Sequence, residues 1–386
     1  MKIRGLIVAL FLLLSFTPAA ICAAAKPVIC AYVFTRGQPL TPEQVDPHKL
    51  TRINYAFANI EKGHIVEGEP VAAGNLAVLT ALRRDNPDLT VLISVGGWLW
   101  SGGFSDMALT STSRAAFIDS AADFLTKYDL DGLDIDWEFP GMAGATNNFR
   151  PEDKQNYTLL VKELRARLDG MQKKTHHHLY LTVAVGANSD FLEHTEMGEV
   201  QKYVDTVNLM AYDYYEPGDE GTTGNHAPLY TDPADPRAVS ADRSVREYEQ
   251  AGVPAAKIVL GVPFYGHVWG QVPATSNGLF QPGKPVPNAF AHYGEIAATM
   301  LGQGYTRYWD KAASVPYLYN AQKQIFVSYE DPESLTLKCR YVLDHHLAGV
   351  MFWDYFADSS GKLLDTIDAA LLHAPAAQAS AHSGKQ

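Results

Sequence analysis

Short apolar runs rich in β-branched residues recur along the chain, separated by longer amphipathic segments. A run that is apolar on both faces is typical of a strand buried in a parallel sheet. The pattern predicts strands at Val28–Phe34, Ile53–Ile60, Thr90–Gly96, Gly132–Glu138, Leu179–Gly186, Thr206–Asp213, Ile258–Tyr265 and Gly349–Asp354. Helical periodicity between them predicts helices at Ser113–Tyr128, Pro151–Asp169, Ser240–Ala251 and Pro332–His345.

This alternation predicts an α/β fold, and eight strands are the number that closes a (β/α)8 TIM barrel. An open doubly wound sheet is the alternative, but no glycine-rich phosphate loop follows the first strand. Roughly 80 residues separate the last two predicted strands, with strand patterns at Thr306–Trp309 and Gln324–Ser328 and a helical pattern at Tyr293–Leu301. A connection of this length predicts a small α+β insertion between strands 7 and 8.

The two ends of the chain differ from this pattern. Lys2 and Arg4 precede an apolar run that is short for a membrane span, and small residues follow it, which predicts a cleaved secretory signal at residues 1–25. We expect the barrel to comprise residues 26–266 and 345–372. Residues 267–344 would form the insertion and the helix that leads to the last strand, and residues 373–386 a disordered tail.

Composition narrows the classes of partner. The net charge of −12 argues against nucleic acid or an anionic membrane. It suits a secreted enzyme that acts on a neutral polymer, although many soluble proteins share this balance.

Only Cys30 and Cys339 would remain after signal cleavage, so we expect two buried thiols and no disulfide scaffold. We also expect a monomer without a metal or cofactor.

The fourth predicted strand carries the candidate chemistry. Asp134, Asp136 and Glu138 alternate with apolar residues, so they would line one face, each about 7 Å from the next along the strand. Burying three carboxyl groups costs free energy unless they are paired, hydrogen-bonded or protonated. Asp131 is out of register with them, and we expect it to fix the turn into the strand.

Three interpretations of this strand compete. A structural ion-pair cluster would usually include Arg or Lys, and none lies between Asp131 and Phe149. A Mg²⁺ or Ca²⁺ site fits a buried, aromatic setting poorly. Acid–base catalysis accounts best for the spacing, because neighbouring like charges force one group to keep a proton, and the outermost residue, Glu138, would then act as a general acid. Glycoside hydrolysis requires such an acid, but its usual second carboxylate is not obvious in the sequence.

Several motifs resemble those of one known family, glycoside hydrolase family 18, the chitinase family. The resemblance covers about residues 26–370, nearly the whole chain after the predicted signal, and includes the insertion. The matching segments are Asp131-x-x-Asp134-x-Asp136-x-Glu138, Ser94-x-Gly96-Gly97, Met210-x-Tyr212-Asp213, residues 223–230, residues 261–266 and the strand that contains Trp353.

The resemblance implies a retaining mechanism in which the substrate supplies the nucleophile, one of the exceptions to the two-carboxylate rule. Glu138 would protonate the glycosidic oxygen and later activate water. The 2-acetamido carbonyl would attack the anomeric carbon, while Asp136 binds the acetamido N–H and Asp134 shares its charge. Tyr212 would hydrogen-bond the acetamido group.

The resemblance also implies substrate-contacting and supporting side chains at the carboxyl ends of the strands. These are Asp213 beside the sugar, Trp353 as its apolar floor, Trp98 in the leaving-group subsite, Tyr32 and Ser94 in support of the aspartates, Met210 in the barrel core beside the site, and Tyr265 at the end of the seventh strand.

Some positions depart from the family pattern. His267 stands where many relatives have Arg, which puts a polar contact at that rim in doubt, and Tyr214-Tyr215-Glu216 replaces a commoner aromatic-His-Gly. His176-His177-His178 suggests a metal site, but it lies in a polar connection, and we predict a solvated loop.

The sequence therefore predicts a secreted chitinase that cleaves β-1,4 bonds between N-acetylglucosamine units, with chitin or its oligosaccharides as partner. The alternatives are an endo-β-N-acetylglucosaminidase acting on glycoprotein or peptidoglycan glycans, and a non-hydrolytic chitin-binding lectin. Lectin-like members of the family typically lose the acid, which is present here as Glu138.

Overall fold

The computed structural model describes residues 26–145, 147–218 and 221–373. The predicted signal at residues 1–25 and the predicted tail beyond residue 373 lie outside these ranges. Within them, no helix combines the length and the apolar content that a membrane span requires.

The strands, numbered in chain order, are β1 (Val28–Phe34), β2 (Arg52–Glu61), β3 (His64–Glu67), β4 (Thr90–Gly96), β5 (Gly132–Asp136), β6 (Tyr180–Gly186), β7 (Thr206–Met210), β8 (Ile258–Pro263), β9 (Tyr265–Gly270), β10 (Lys284–His292), β11 (Thr306–Asp310), β12 (Val315–Asn320), β13 (Ile325–Ser328) and β14 (Gly349–Trp353). The helices are α1 (Ala72–Ala81), α2 (Phe104–Ala108), α3 (Ser111–Tyr128), α4 (Asp153–Thr175), α5 (Ser189–Glu193), α6 (Met197–Val200), α7 (Ala241–Gln250), α8 (Tyr293–Thr299), α9 (Pro332–Asp344) and α10 (Lys362–Leu372).

Eight parallel strands close into a barrel in the order β1-β2-β4-β5-β6-β7-β8-β14, with β14 pairing back to β1. The short β3 forms an antiparallel hairpin with β2. The second sheet is antiparallel, in the order β10-β9-β13-β12-β11, and lies between β8 and β14 in the chain together with α8. The predicted (β/α)8 barrel with an α+β insertion is therefore confirmed.

Four predicted barrel strands end later than the strands of the structure, and for β14 the difference is the single residue Asp354. β5 ends at Asp136, because the backbone N–H of Glu138 donates to the Ser101 hydroxyl instead of a neighbouring strand. β7 ends at Met210, since Asp213 adopts a left-handed conformation with φ of 59° that a strand cannot contain. β8 ends at Pro263, and the strand resumes at Tyr265 as the first strand of the second sheet. The catalytic candidates beyond these ends therefore lie on rim segments.

The main core lies between the barrel strands and the surrounding helices. Trp137 is buried there, with its ring stacked on Phe104 at 5.1 Å between centroids. A smaller apolar cluster inside the barrel contains Cys30, Tyr32 and Met351. Cys30 and Cys339 are both buried free thiols, in agreement with the prediction.

Candidate active site

Asp134 lies fully buried inside the barrel, where neutral groups from four different strands surround it. Its Oδ2 accepts hydrogen bonds from the Tyr32 hydroxyl at 3.0 Å and the Ser94 hydroxyl at 2.7 Å. Its Oδ1 accepts from the hydroxyl of Thr182 and from Nδ2 of Asn208, the latter at 3.1 Å. Burial raises the pKa of Asp134, and these hydrogen bonds offset only part of that effect.

One buried cation lies in the same interior. Arg52, on β2, donates from Nη1 to the Thr206 hydroxyl at 2.8 Å, and its charge favours the ionised form of Asp134. The effect of burial is larger than that of Arg52 and the hydrogen bonds together, so the pKa of Asp134 stays above its usual value.

Asp136 is buried one step nearer the rim. Its Oδ1 is buried and has no hydrogen-bond partner among the described residues. Burial, followed by the negative charges of Glu138 and Asp134, raises the pKa of Asp136 well above its usual value. Asp136 therefore offers an unoccupied polar atom to a ligand at the site.

Glu138 stands just beyond the end of β5 and is only partly buried in the rim. Ser101 holds its backbone, because the Ser101 hydroxyl donates to the carbonyl of Asp136 at 3.2 Å and accepts the N–H of Glu138 at 2.9 Å. Burial, and then the charges of Asp213 and Glu216, raise the pKa of Glu138 to about 8. Its carboxyl group is therefore mostly protonated at neutral pH, as a general acid requires. We call Asp134, Asp136 and Glu138 the carboxylate column.

Two glycines allow close packing at the carboxyl end of β4, beside the carboxylate column. Gly96 has φ of 106°, and a Cβ there would lie 2.2 Å from the carbonyl oxygen of Asp136. Gly97 has φ of 81°, and a Cβ there would lie 2.5 Å from the Phe57 ring. The N–H of Gly97 also donates to the Asp136 carbonyl at 2.7 Å. The two glycines of the Ser94-x-Gly96-Gly97 motif are thus required by close packing, and Ser94 is required for its hydrogen bond to Asp134.

Asp213 is held on a second rim segment by three side chains. The Tyr265 hydroxyl lies 2.6 Å and 2.7 Å from its two carboxylate oxygens, and Nε2 of His267 lies 2.8 Å from Oδ1. Nδ1 of the fully buried His226 is 3.6 Å from the same oxygen. Burial favours the protonated acid, but the two histidines outweigh it and hold the pKa of Asp213 well below its usual value. We call Asp213, His226 and His267 the Asp213 cluster.

Tyr212 joins the two parts of the site. Its ring meets that of Tyr265 edge to face at 6.2 Å between centroids. It also packs with Met210 and Trp353 against the apolar cluster inside the barrel that includes Tyr32. Burial, and then the charge of Asp213, raise the pKa of Tyr212 well above its usual value, so the hydroxyl remains a hydrogen-bond donor.

Aromatic rings line the rim in separate places. Trp353 stacks on Phe34 at 5.7 Å and on Phe57 at 5.5 Å. Trp98 is 52% exposed and its ring contacts Phe139 at 6.4 Å, so it lies outside the Trp353 group. Phe290 of the insertion is 41% exposed and stacks on Tyr265 at 4.2 Å.

The sequence-based site omitted several of these residues. Thr182 and Asn208 occupy inward-facing strand positions, so strand parity could have identified them. His226 lies in a segment that the family resemblance already included. His267, noted as a departure from the family pattern, does make a polar contact at the rim, to Asp213. Phe290 gave no signal, because it lies on a strand that the sequence did not predict.

The three consecutive histidines lie at the opposite end of the barrel. Nε2 of His177 is 2.9 Å from Asp131, and Nε2 of His178 is 2.8 Å from Asp205. His177 and His178 are therefore partly exposed, and each contacts a carboxylate. The predicted solvated loop did not include these two contacts. Within the described ranges, the group with metal-binding geometry is instead the Asp213 cluster, whose ligand atoms all lie within 4.8 Å of one another.

Comparison with known proteins adds a family assignment to this geometry. The family model "Glycosyl hydrolases family 18" matches residues 29–358. Chitinase A1 of Niallia circulans is 36% identical over 396 residues, a match that covers 87% of this chain and 56% of that protein's length.

Two solved structures have similar folds. A family 18 N-acetylglucosaminidase from Paenibacillus barengoltzii is 42% identical with a TM-score of 0.82, and the match covers 90% of this chain and all of that chain, 100%. A class V chitinase from Nicotiana tobaccum, solved in complex with NAG4, is 26% identical with a TM-score of 0.81 and coverage of 90% and 99%.

Proposed function

This chain belongs to glycosyl hydrolases family 18, and we propose that it is a chitinase that hydrolyses β-1,4 bonds between N-acetylglucosamine units with retention of configuration. We propose chitin or its oligosaccharides as the substrate. Export to the extracellular space or the periplasm is also a proposal, supported by the signal-like pattern of residues 1–25.

The observation that carries this proposal is Oδ1 of Asp136, which has no hydrogen-bond partner among the described residues and lies between the buried Asp134 and Glu138, whose pKa is raised to about 8. An acetamido N–H of the substrate would supply the missing hydrogen bond. That contact would turn the acetamido carbonyl oxygen toward the anomeric carbon and stabilise the positive charge that develops on the group.

The chemistry then needs no carboxylate nucleophile. The Glu138 carboxyl group gives its proton to the glycosidic oxygen, the bond from that oxygen to the anomeric carbon breaks, and the acetamido oxygen bonds to the same carbon. Ionised Glu138 then takes a proton from water, which attacks the anomeric carbon from the face that the leaving group vacated, and the bond from that carbon to the acetamido oxygen breaks to restore the acetamido group. Two inversions give net retention.

A conventional carboxylate nucleophile is the competing mechanism, since Asp213 lies near enough for its charge to raise the pKa of Glu138. However, the Tyr265 hydroxyl lies within hydrogen-bond distance of both oxygens of Asp213, and His267 contacts Oδ1. This arrangement supports a role for Asp213 in binding and charge placement.

Release of single N-acetylglucosamine units from chain ends is a second candidate. It is favoured by the 42% identity to the N-acetylglucosaminidase, over the full length of that chain. The lectin alternative has less support, because a lectin needs neither the acid at position 138 nor its raised pKa.

A product analysis tests the proposal. A chitin hexamer and a high-mannose glycopeptide are incubated with the protein, and the early products are separated by length and by anomer. We expect shorter oligomers in the β-anomeric form from the hexamer and no cleavage of the glycopeptide. Monomers alone would favour the second candidate, cleavage of the glycopeptide would favour an endo-β-N-acetylglucosaminidase, and α-anomers would contradict retention.

A further inference from the structure

The Asp213 cluster combines two imidazoles and one carboxylate on three separate segments, the rim after β7, the segment at residues 223–230 and β9. We propose that Asp213, His226 and His267 bind a divalent transition-metal ion of the zinc type, and that the bound ion inhibits the enzyme. Two histidines and one carboxylate with an open fourth position are a common ligand set for zinc.

The distances within the cluster suit such an ion. The ligands of a tetrahedral Zn²⁺ lie about 2.0–2.2 Å from the metal and hence roughly 3.4 Å from one another. Around Oδ1 of Asp213, Nε2 of His267 lies at 2.8 Å and Nδ1 of His226 at 3.6 Å. All three ligand atoms lie within 4.8 Å of one another, so side-chain movements of about 1 Å would complete the coordination of one ion.

The two histidines also have ring nitrogens without a hydrogen-bond partner among the described residues. His226 is fully buried, and neither of its ring nitrogens has a hydrogen-bond partner among the described residues. The same is true of Nδ1 of His267, which could carry the ring proton once Nε2 binds a metal. Buried polar atoms without partners are rare in proteins. Coordination of a metal ion would give a partner to Nδ1 of His226, the ring nitrogen that faces Asp213.

The surroundings of the cluster favour a cation and allow it to enter. The Tyr265 hydroxyl donates to Asp213, the kind of outer contact that orients a ligating carboxylate. Oε1 of Glu216 lies 3.9 Å from Nε2 of His267 and adds negative charge. Because the Asp213 side chain is 34% exposed, an ion can reach it from the cleft.

Inhibition follows from the position of Asp213, and this part of the inference rests on the proposed function. If Asp213 contacts the sugar, a metal ion on its carboxylate competes with the substrate. Binding of the ion does not depend on that role, so the two parts can be tested separately.

The test of binding uses the full chain after dialysis against EDTA. Zn²⁺ is titrated by calorimetry, and Co²⁺ is followed by its visible absorption, which is intense when the coordination is tetrahedral. We expect one ion per chain in the wild type and loss of that site in His267→Gln and in His226→Gln. Circular dichroism checks that the variants are folded, and His267→Gln serves alone if the fully buried His226 does not tolerate substitution.

The matched control is the double variant His177→Gln/His178→Gln, which removes the exposed histidines at the other end of the barrel. We expect it to retain the site. No bound ion in the wild type, or loss of binding in this control with retention in His267→Gln, would overturn the proposal.

The activity measurement is independent of the binding measurement. With a chitin oligomer as substrate, Zn²⁺ should raise the apparent KM of the wild type and leave that of His267→Gln unchanged. Equal inhibition of both proteins would refute the inhibitory role. If no substrate is cleaved, the proposed function fails, while the calorimetric and Co²⁺ results still decide the metal site.

Discussion

The two ends of β5 hold buried carboxylates in opposite electrostatic settings. Before the strand, Asp131 is bound by Nη1 of Arg83 at 3.0 Å, by Nε2 of His177 at 2.9 Å and by the N–H of Val91 at 2.7 Å. At the other end, one oxygen of Asp136 has no hydrogen-bond partner in the part of the chain that the structure describes, and Glu138 lies near the carboxylates of Asp213 and Glu216.

Burial alone therefore does not give a carboxyl group its role. Both Asp131 and Asp136 are buried. A cation and a backbone donor from neighbouring segments fix Asp131 as a strand-linking group. Burial and neighbouring negative charges instead make Asp136 and Glu138 hold protons more tightly, which raises their pKa values.

Among substitutions at the two ends of β5, replacement of the acid Glu138 should cause the largest loss of turnover. Glu138→Gln removes the transferable proton and preserves shape, so kcat on a chitin oligomer should fall by roughly 10²-fold or more. Binding of the oligomer, followed by tryptophan fluorescence, should change little. Turnover close to that of the wild type would remove Glu138 from the acid role.

The next largest loss of turnover should come from Asp136→Asn. The Asn side chain keeps an acceptor oxygen but loses the negative charge that would stabilise the positive charge developing on the acetamido group, so kcat should fall by about 10²-fold, the usual cost of one lost transition-state interaction. Single-turnover kinetics separate this loss from product release. A variant that raises KM and leaves kcat unchanged would show that Asp136 acts only in binding.

Asp131→Asn should instead lower the stability of the protein and leave its turnover unchanged. It removes the negative charge that Arg83 and His177 contact, so the free energy of unfolding should fall by about 2 kcal/mol. Because Asp131 lies at the amino end of the strand, kcat should stay near the wild-type value. Urea unfolding and steady-state kinetics on the same preparation provide both readouts, and a loss of kcat without a loss of stability would invalidate the contrast.

Asp213→Asn should have the smallest effect, a shift in the pH profile. The negative charge of Asp213 helps to raise the pKa of Glu138, although burial contributes more. Removing that charge should move the basic limb of kcat/KM to lower pH. Asp131→Asn is the control and should leave the limb in place, while a shift to higher pH in Asp213→Asn would have the wrong sign.

The sequence predicted the parts of the fold and site that depend on local pattern. Alternation along β5 correctly separated the inward Asp134 and Asp136 from the outward Trp137. It could not supply partners that are distant in the chain. Arg83 meets Asp131 across 48 positions, and Asn208 meets Asp134 across 74.

The insertion was the least predictable region for a similar reason. β10 contains Pro285 and Pro287, which argue against a strand, and its pairing with β9 shifts register between Pro285 and Phe290. β9 follows β8 after the single residue Phe264, and the predicted strand Ile258–Tyr265 crosses that boundary and includes only the first residue of β9. Phe290 and His267, both on these two strands, were therefore not placed in the site.

The pH profile of kcat/KM for the wild type, measured in buffer with EDTA, tests most directly whether its surroundings keep Glu138 protonated. The basic limb of this profile reports the acid of the free enzyme, which must be protonated to act. We expect kcat/KM to hold through neutral pH and to fall above a pKa of about 8. A fall centred near 4.5, the ordinary value for glutamate, would contradict this account.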